Sequence, residues 1–151
     1  MLANLLKSEV IPLLAENTRL VRANFRRRAQ HLGLTQPQWR ILLAISNYPG
    51  IMPSVLAEKL EVHPVTVTQS IDRLVKTGWI LRKRQEEDRR TCNLFLTDQA
   101  EPILGELNLI AKQTHATAMA EFAEAEIKQL EDLLQRMKKN LSRALTEDSA
   151  E

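Results

Sequence analysis

The chain has 151 residues, 44% hydrophobic and 26% charged, with a formal net charge of +2. That composition suits one soluble domain of ordinary size, and no apolar run approaches the ~20 residues that span a bilayer. One cysteine, Cys92, excludes an internal disulfide, and the widely spaced His31, His63 and His115 give no metal-ligand pair, so no cofactor or metal is expected.

The first seven residues lack a basic stretch leading into a long apolar run, so a cytoplasmic protein is expected. Charge is uneven along the chain: residues 1–62 carry net +4, residues 63–97 net +3 and residues 98–151 net −5. A basic half meeting phosphate and an acidic half meeting protein would produce this pattern.

Taken in order, Leu2, Leu6, Val10, Leu13, Leu14, Val21 and Phe25 repeat at close to 3.6 residues, predicting a helix over 2–31 that begins or kinks near Pro12 and stops at Gly33. Thr35-Gln36-Pro37-Gln38 is a capping box, with Pro37 in the first turn and Leu34 and Trp39 spaced as a hydrophobic staple. The helix it opens runs to the break at Tyr48-Pro49-Gly50. A short helix over about 53–60 turns Leu56, Ala57 and Leu60 inward. Pro64 then opens another, with Val67, Ile71 and Leu74 as its apolar stripe and Gly78 closing it.

At residue 79 the period changes to two. Residues 79–84 and 92–97 read as strands, the second alternating Cys92, Leu94 and Leu96 with Asn93, Phe95 and Thr97. Asp98 with Glu101 signals another helix, striped by Ile103, Leu104, Leu107, Ile110 and Ala111. A last helix starts near Ala123 and sets Ile127, Leu130, Leu134, Met137 and Leu141 in coiled-coil order.

The expected fold is therefore mainly α, in the order α-α-α-α-β-β-α-α, with room for a short extra strand near 51–52. It is a single domain, with terminal helices at about 1–33 and 98–145 around a winged helix-turn-helix region at about 35–97. The terminal apolar faces are too long for the middle to cover, which points to a homodimer.

Two short helices joined by about three residues make a helix-turn-helix. The second presents Pro64, Val65, Thr66, Thr68, Gln69, Asp72, Arg73 and Lys76 outward, or these are simply solvated positions of a core helix. As a reader of the major groove, Gln69 would pair with adenine, Val65 and Thr66 would touch thymine methyls, and Arg73 would reach guanine or phosphate. Arg82-Lys83-Arg84 and Arg89-Arg90 set five positive charges around the hairpin tip, suited to phosphate and the minor groove. Glu86, Glu87 and Asp88 interrupt that patch, and Asp88 could orient Arg90 by a carboxylate–guanidinium pair.

Leu56–Leu60, Val67–Ile80, Asp88-Arg89-Arg90 and Leu94–Thr97 resemble the signature of the MarR family. Leu34–Trp39 and Ala100-Glu101-Pro102 are similar to its SlyA branch. The resemblance covers about residues 12–145. It implies a homodimeric transcriptional regulator on double-stranded DNA, with helix 64–77 in the major groove. Wing 85–91, through Arg90 and its support Asp88, would enter the minor groove, with Arg84 beside it as a further DNA-binding residue. It also implies a small aromatic carboxylate effector held near Arg19, Arg22 and Trp39, which could otherwise serve as structural ion pairs and a staple. This chain departs at Glu61, where the family commonly has Gly, at His63, commonly Ser, and at Gln69, where Arg is frequent. No cysteine lies near its start, so thiol-based sensing is disfavoured and Cys92 reads as a small core residue.

An enzyme finds no support, for there is no Ser/His/Asp or Cys/His set and no Gly-rich phosphate loop. A winged-helix interaction module that has lost DNA binding is the other alternative; Arg73, Arg84, Asp88 and Arg90 speak against it.

Overall fold

Proline and glycine punctuate this chain, and the helices follow their positions. The computed structural model describes residues 8–84 and 92–148. Helix α1 spans Val10–Ala29. It begins at Pro12's own turn rather than kinking there, because a first-turn N–H has no partner to lose. Arg26, Arg27 and Arg28 occupy its last turn, where positive charge suits the helix C-terminus. A 3₁₀ turn, Gln30–Leu32, follows, and Gly33 ends it at φ +66°, its N–H donating to the Gln30 carbonyl.

Helix α2, Gln36–Asn47, opens on the expected capping box. The Gln38 amide donates to Thr35 Oγ1 at 3.4 Å, and the Thr35 amide donates to Gln38 Oε1 at 2.8 Å. Helices α3, Pro53–Leu60, and α4, Pro64–Lys76, each start on proline. Both sit where the missing N–H would have been unsatisfied.

Strands β1, Ile80–Arg84, and β2, Cys92–Leu96, pair antiparallel from Ile80 opposite Leu96 to Arg84 opposite Cys92. Each is one residue shorter than its expected range. Ile51 adds a single bridge to Leu94, so the extra strand expected near 51–52 is one residue wide. Helix α5, Glu101–Ala118, is preceded by a 3₁₀ turn at Asp98–Ala100. Thr97, not Asp98, stands at the N-cap of that turn, and its hydroxyl donates to the Gly78 carbonyl instead of capping.

The core gathers side chains from all these elements: Ile41, Leu42, Leu56, Ile71, Leu74, Leu94 and Leu107 are each 0% exposed. Burying one such side chain is worth ~1.5–3 kcal/mol, so a single fully buried Leu94 ties the hairpin to the helices. Phe25 of α1 packs against Trp39 of α2 with centroids 4.2 Å apart and rings tilted by 32°.

The chain divides into two compact units, Met1–Thr114 and His115–Glu151. The second holds helix α6, Glu124–Asp148. Its start is fixed by the Glu126 carboxylate, which accepts the Ala123 N–H at 2.8 Å. Leu133, Leu134, Leu141 and Leu145 of α6 are exposed, as are Val10, Ile11, Leu13 and Leu14 of α1. Among the described residues no helix is long and apolar enough to cross a membrane.

Candidate nucleic-acid interface

Helices α3 and α4 are joined by Glu61, Val62 and His63. Glu61 takes the left-handed conformation, φ 51°, and its N–H closes α3 on the Glu58 carbonyl. Glycine adopts that backbone freely, while a residue with a Cβ is strained there by ~1–2 kcal/mol. Val62 donates to the Ala57 carbonyl, completing the turn. His63 then caps α4: its Nδ1 accepts the Val65 N–H at 3.2 Å. The imidazole thus does what a Ser or Asp hydroxyl or carboxylate does at other helix starts.

The two faces of α4 separate cleanly. Val67, Ser70, Ile71 and Leu74 are buried. Pro64, Val65, Thr68, Gln69 and Arg73 are exposed, and Thr66 is half-buried. The core residues recur every third or fourth position, which leaves the polar ones on the remaining arc. The first two turns of α4 therefore offer an amide and two hydroxyls, and the third a guanidinium, to any surface that meets them.

The turn into the wing is tightly held. Gly78 adopts φ +78°, and a Cβ there would collide with Gln99 Oε1. The Thr97 amide donates to the Trp79 carbonyl at 3.0 Å. On β1 the three successive cations have different surroundings. Arg82 donates to the Asp72 carboxylate of α4. Lys83 Nζ stands 4.9 Å from the Phe95 ring centroid. Arg84 is exposed, with no acidic partner within ion-pair distance among the described residues. Asp88 and Arg90 of the wing lie outside the described residues.

Sequence reasoning missed the Asp72–Arg82 pair, because ten residues and a glycine turn separate its members. It also missed Arg40, which donates to the Leu60 carbonyl at 2.7 Å and so holds the end of α3 to α2. Burial lowers the pKa of this guanidinium, as does the nearby charge of Arg22, while Glu61 acts in the opposite sense.

The second candidate cluster is only partly assembled. Arg19 and Arg22 line one surface hollow of about 290 Å³ with Ala15, Thr18, Ala23, Arg26 and Gln36. Trp39 is not part of it. The indole is 6% exposed and packed on Phe25, because position 39 falls on the inner stripe of α2. Arg19 is already engaged: its Nε and Nη2 donate to both oxygens of Glu16, at 2.9 and 2.6 Å. That hydrogen bonding holds the Glu16 carboxyl below its ordinary pKa and raises that of Arg19. Cys92 is half-buried against the core, and no group of three metal-ligating side chains occurs among the described residues.

Comparison with known proteins agrees with this geometry. The sequence model of the MarR family matches residues 34–92, which hold α2, α3, α4 and β1. The crystal structure of MarR superposes with a TM-score of 0.73 at 28% identity, over 90% of this chain and 99% of that one. Over residues 34–92 the chain matches the MarR family, and over 90% of its length it shares the fold of MarR. A second solved structure, the transcriptional regulator PA3341, gives a TM-score of 0.79 at 29% identity over 87% of this chain and 97% of its own. A MarR-family regulator from Listeria monocytogenes, solved with a 26-mer DNA, has the same fold: TM-score 0.79, 23% identity and 91% of each chain covered. MarR proteins are transcription regulators that bind DNA and are not enzymes, and the helix pair α3 and α4 seen here lies within the residues that the family sequence covers.

Proposed function

We propose that this protein regulates transcription by binding a pseudo-palindromic DNA site as a homodimer. Helix α4 enters the major groove with Gln69, Thr66, Thr68 and Val65 on base edges, and Pro64 packs at its start. Arg73 reaches a guanine or a phosphate. Wing residues 85–91 enter the neighbouring minor groove through Arg90, oriented by Asp88, with Arg84 on the flanking phosphate.

One observation carries the reading. The first two turns of α4 expose hydrogen-bonding side chains while their other face is sealed into the core. The Listeria relative was solved with DNA, which supports the same use here. The exposed apolar side chains on α1, and separately those on α6, support pairing of two copies, since apolar side chains clustered on a surface mark an interface. Two copies related by a two-fold axis would read half-sites about one helical turn, ~10 bp, apart. A small carboxylate effector fits the hollow at Arg19 and Arg22, with the aromatic part resting on Ala15 and Ala23 rather than on Trp39.

The test is a fluorescence-anisotropy titration on duplex DNA at two salt concentrations, with sedimentation of the free protein. Binding that weakens linearly in log salt, by a dimer, is the expected result. A folded protein that shows no binding at low salt would instead be a winged-helix interaction module.

A further inference from the structure

The pleat of the hairpin sorts the cations of β1 onto two faces. Side chains two apart on a strand share a face, and directly opposed residues share it too. Ile80 and Leu94 are buried, and Leu94 stands opposite Arg82. Arg82 therefore continues the inward face of the sheet, whereas Lys83 lies on the outward one with Phe95. From that inward face the Arg82 guanidinium meets α4, where Asp72 Oδ1 receives Nη2 at 2.5 Å. Both side chains are only partly exposed, at 38% and 48%.

Position matters as much as the contact. Asp72 follows Ile71 and precedes Arg73, so it is fixed to the segment of α4 that carries the outward polar residues. Arg82 is the middle residue of β1, two positions before Arg84. Two residues of strand span ~7 Å. A link at Arg82 thus sets the angle at which the rest of the hairpin leaves the helix.

We propose that Asp72 and Arg82 are a positioning pair that fixes the wing relative to the recognition helix. Arg82 acts on DNA through geometry, as a strut, and not as a phosphate contact. The inference rests on the DNA-binding reading above and adds to it a residue division: Arg82 holds and Arg84 touches.

Two ideas about this pair predict opposite signs. If Arg82 were a phosphate ligand restrained by Asp72, then Asp72→Asn would free a cation, tighten binding and steepen the salt dependence. A strut predicts that Asp72→Asn weakens binding. The loss is about twofold to fivefold, the range a partly exposed pair can supply. Arg82→Gln should weaken binding to the same degree and leave the log–log salt slope unchanged, whereas a lost phosphate contact would reduce it by about 0.9. The double variant should be no worse than either single one, because both remove the same interaction.

The experiment uses the full chain on a duplex selected from a random library, by anisotropy at several salt concentrations. Hydroxyl-radical footprinting of the same complexes is included. In Asp72→Asn the minor-groove protection flanking each half-site should fade, while protection of major-groove guanines from dimethyl sulfate persists. Circular dichroism checks folding. If Asp72→Asn does not fold, Asp72→Glu, which keeps the charge, is compared with Arg82→Gln. Wild-type binding together with equal or tighter binding by Asp72→Asn overturns the strut alone. Absence of wild-type binding overturns the DNA reading itself.

Discussion

The imidazole Nδ1 of His63 accepts the backbone N–H of Val65 at 3.2 Å, and with it closes the start of helix α4. Pro64 has no N–H to offer, so Val65 carries the first donor of the helix. Replacing His63 by Ala leaves that donor to water and should cost ~0.5–2 kcal/mol, while His63→Ser should keep the cap. Urea denaturation of the three proteins checks this. Equal midpoints for the wild type and His63→Ala would show that the imidazole bond contributes nothing.

Glu61 sits two residues earlier with φ 51°. A Cβ in that backbone region is strained, and glycine relieves it. Glu61→Gly also removes the negative charge that favours the charged form of Arg40, and it loosens the unfolded chain. The strain is the larger effect, and a net gain of ~0.5 kcal/mol is expected. The thermal midpoint should rise; a fall would mean that the Arg40–Glu61 attraction outweighs the backbone.

Gln69 and Arg90 should separate by kind of loss. Gln69→Ala should change the preference at particular base pairs by ~1–3 kcal/mol. Arg90→Ala should weaken all sequences alike and flatten the salt slope. Site selection from a random library with each variant tells them apart. A uniform loss for Gln69→Ala would move that residue to the DNA backbone.

Arg19 is occupied by Glu16, so a carboxylate effector must compete for it. Glu16→Gln should therefore strengthen binding of an aromatic carboxylate, measured by calorimetry. Acid should not reproduce this gain, because the effector's own carboxylate is protonated before Glu16 releases Arg19. The folded Glu16 carboxyl lies below its ordinary pKa, so its ion pair is complete above the ordinary carboxylate range. It is lost as pH falls through the folded value, freeing Arg19. Effector affinity unaltered by Glu16→Gln would place the ligand away from Arg19.

The proposed dimer would bury apolar side chains that a single copy leaves in water. Leu141 and Leu145 of α6 are 58% and 70% exposed. Leu141→Glu with Leu145→Glu should shift sedimentation towards a monomer and lower DNA affinity at protein concentrations where the wild type is paired. An unchanged sedimentation coefficient would put the interface elsewhere.

Local chemistry made most of this fold legible in sequence. The Thr35–Gln38 box, Pro64 and Gly78 act within four residues, so their spacing alone fixes the ends of α2 and α4. The outward residues of α4 followed from the stripe of Val67, Ile71 and Leu74. What escaped depends on packing between elements. The sequence leaves Trp39 open between a ligand contact and a staple, and packing places it in the core because Phe25 of α1 covers that side of α2. Asp72 and Arg82 meet only once the hairpin folds back on α4, and no periodicity connects positions ten apart around a glycine turn.

The two tryptophans occupy the two junctions of this architecture. Trp39 lies in the seam between α1 and α2, and half-buried Trp79 lies where α4 passes into β1, its carbonyl held by Thr97. The chain has no third indole. Its intrinsic emission is therefore a label-free gauge with one sensor at each joint. Substituting Phe for either indole would leave a single-colour reporter, able to say whether an effector disturbs the helical seam, the wing root, or both in turn.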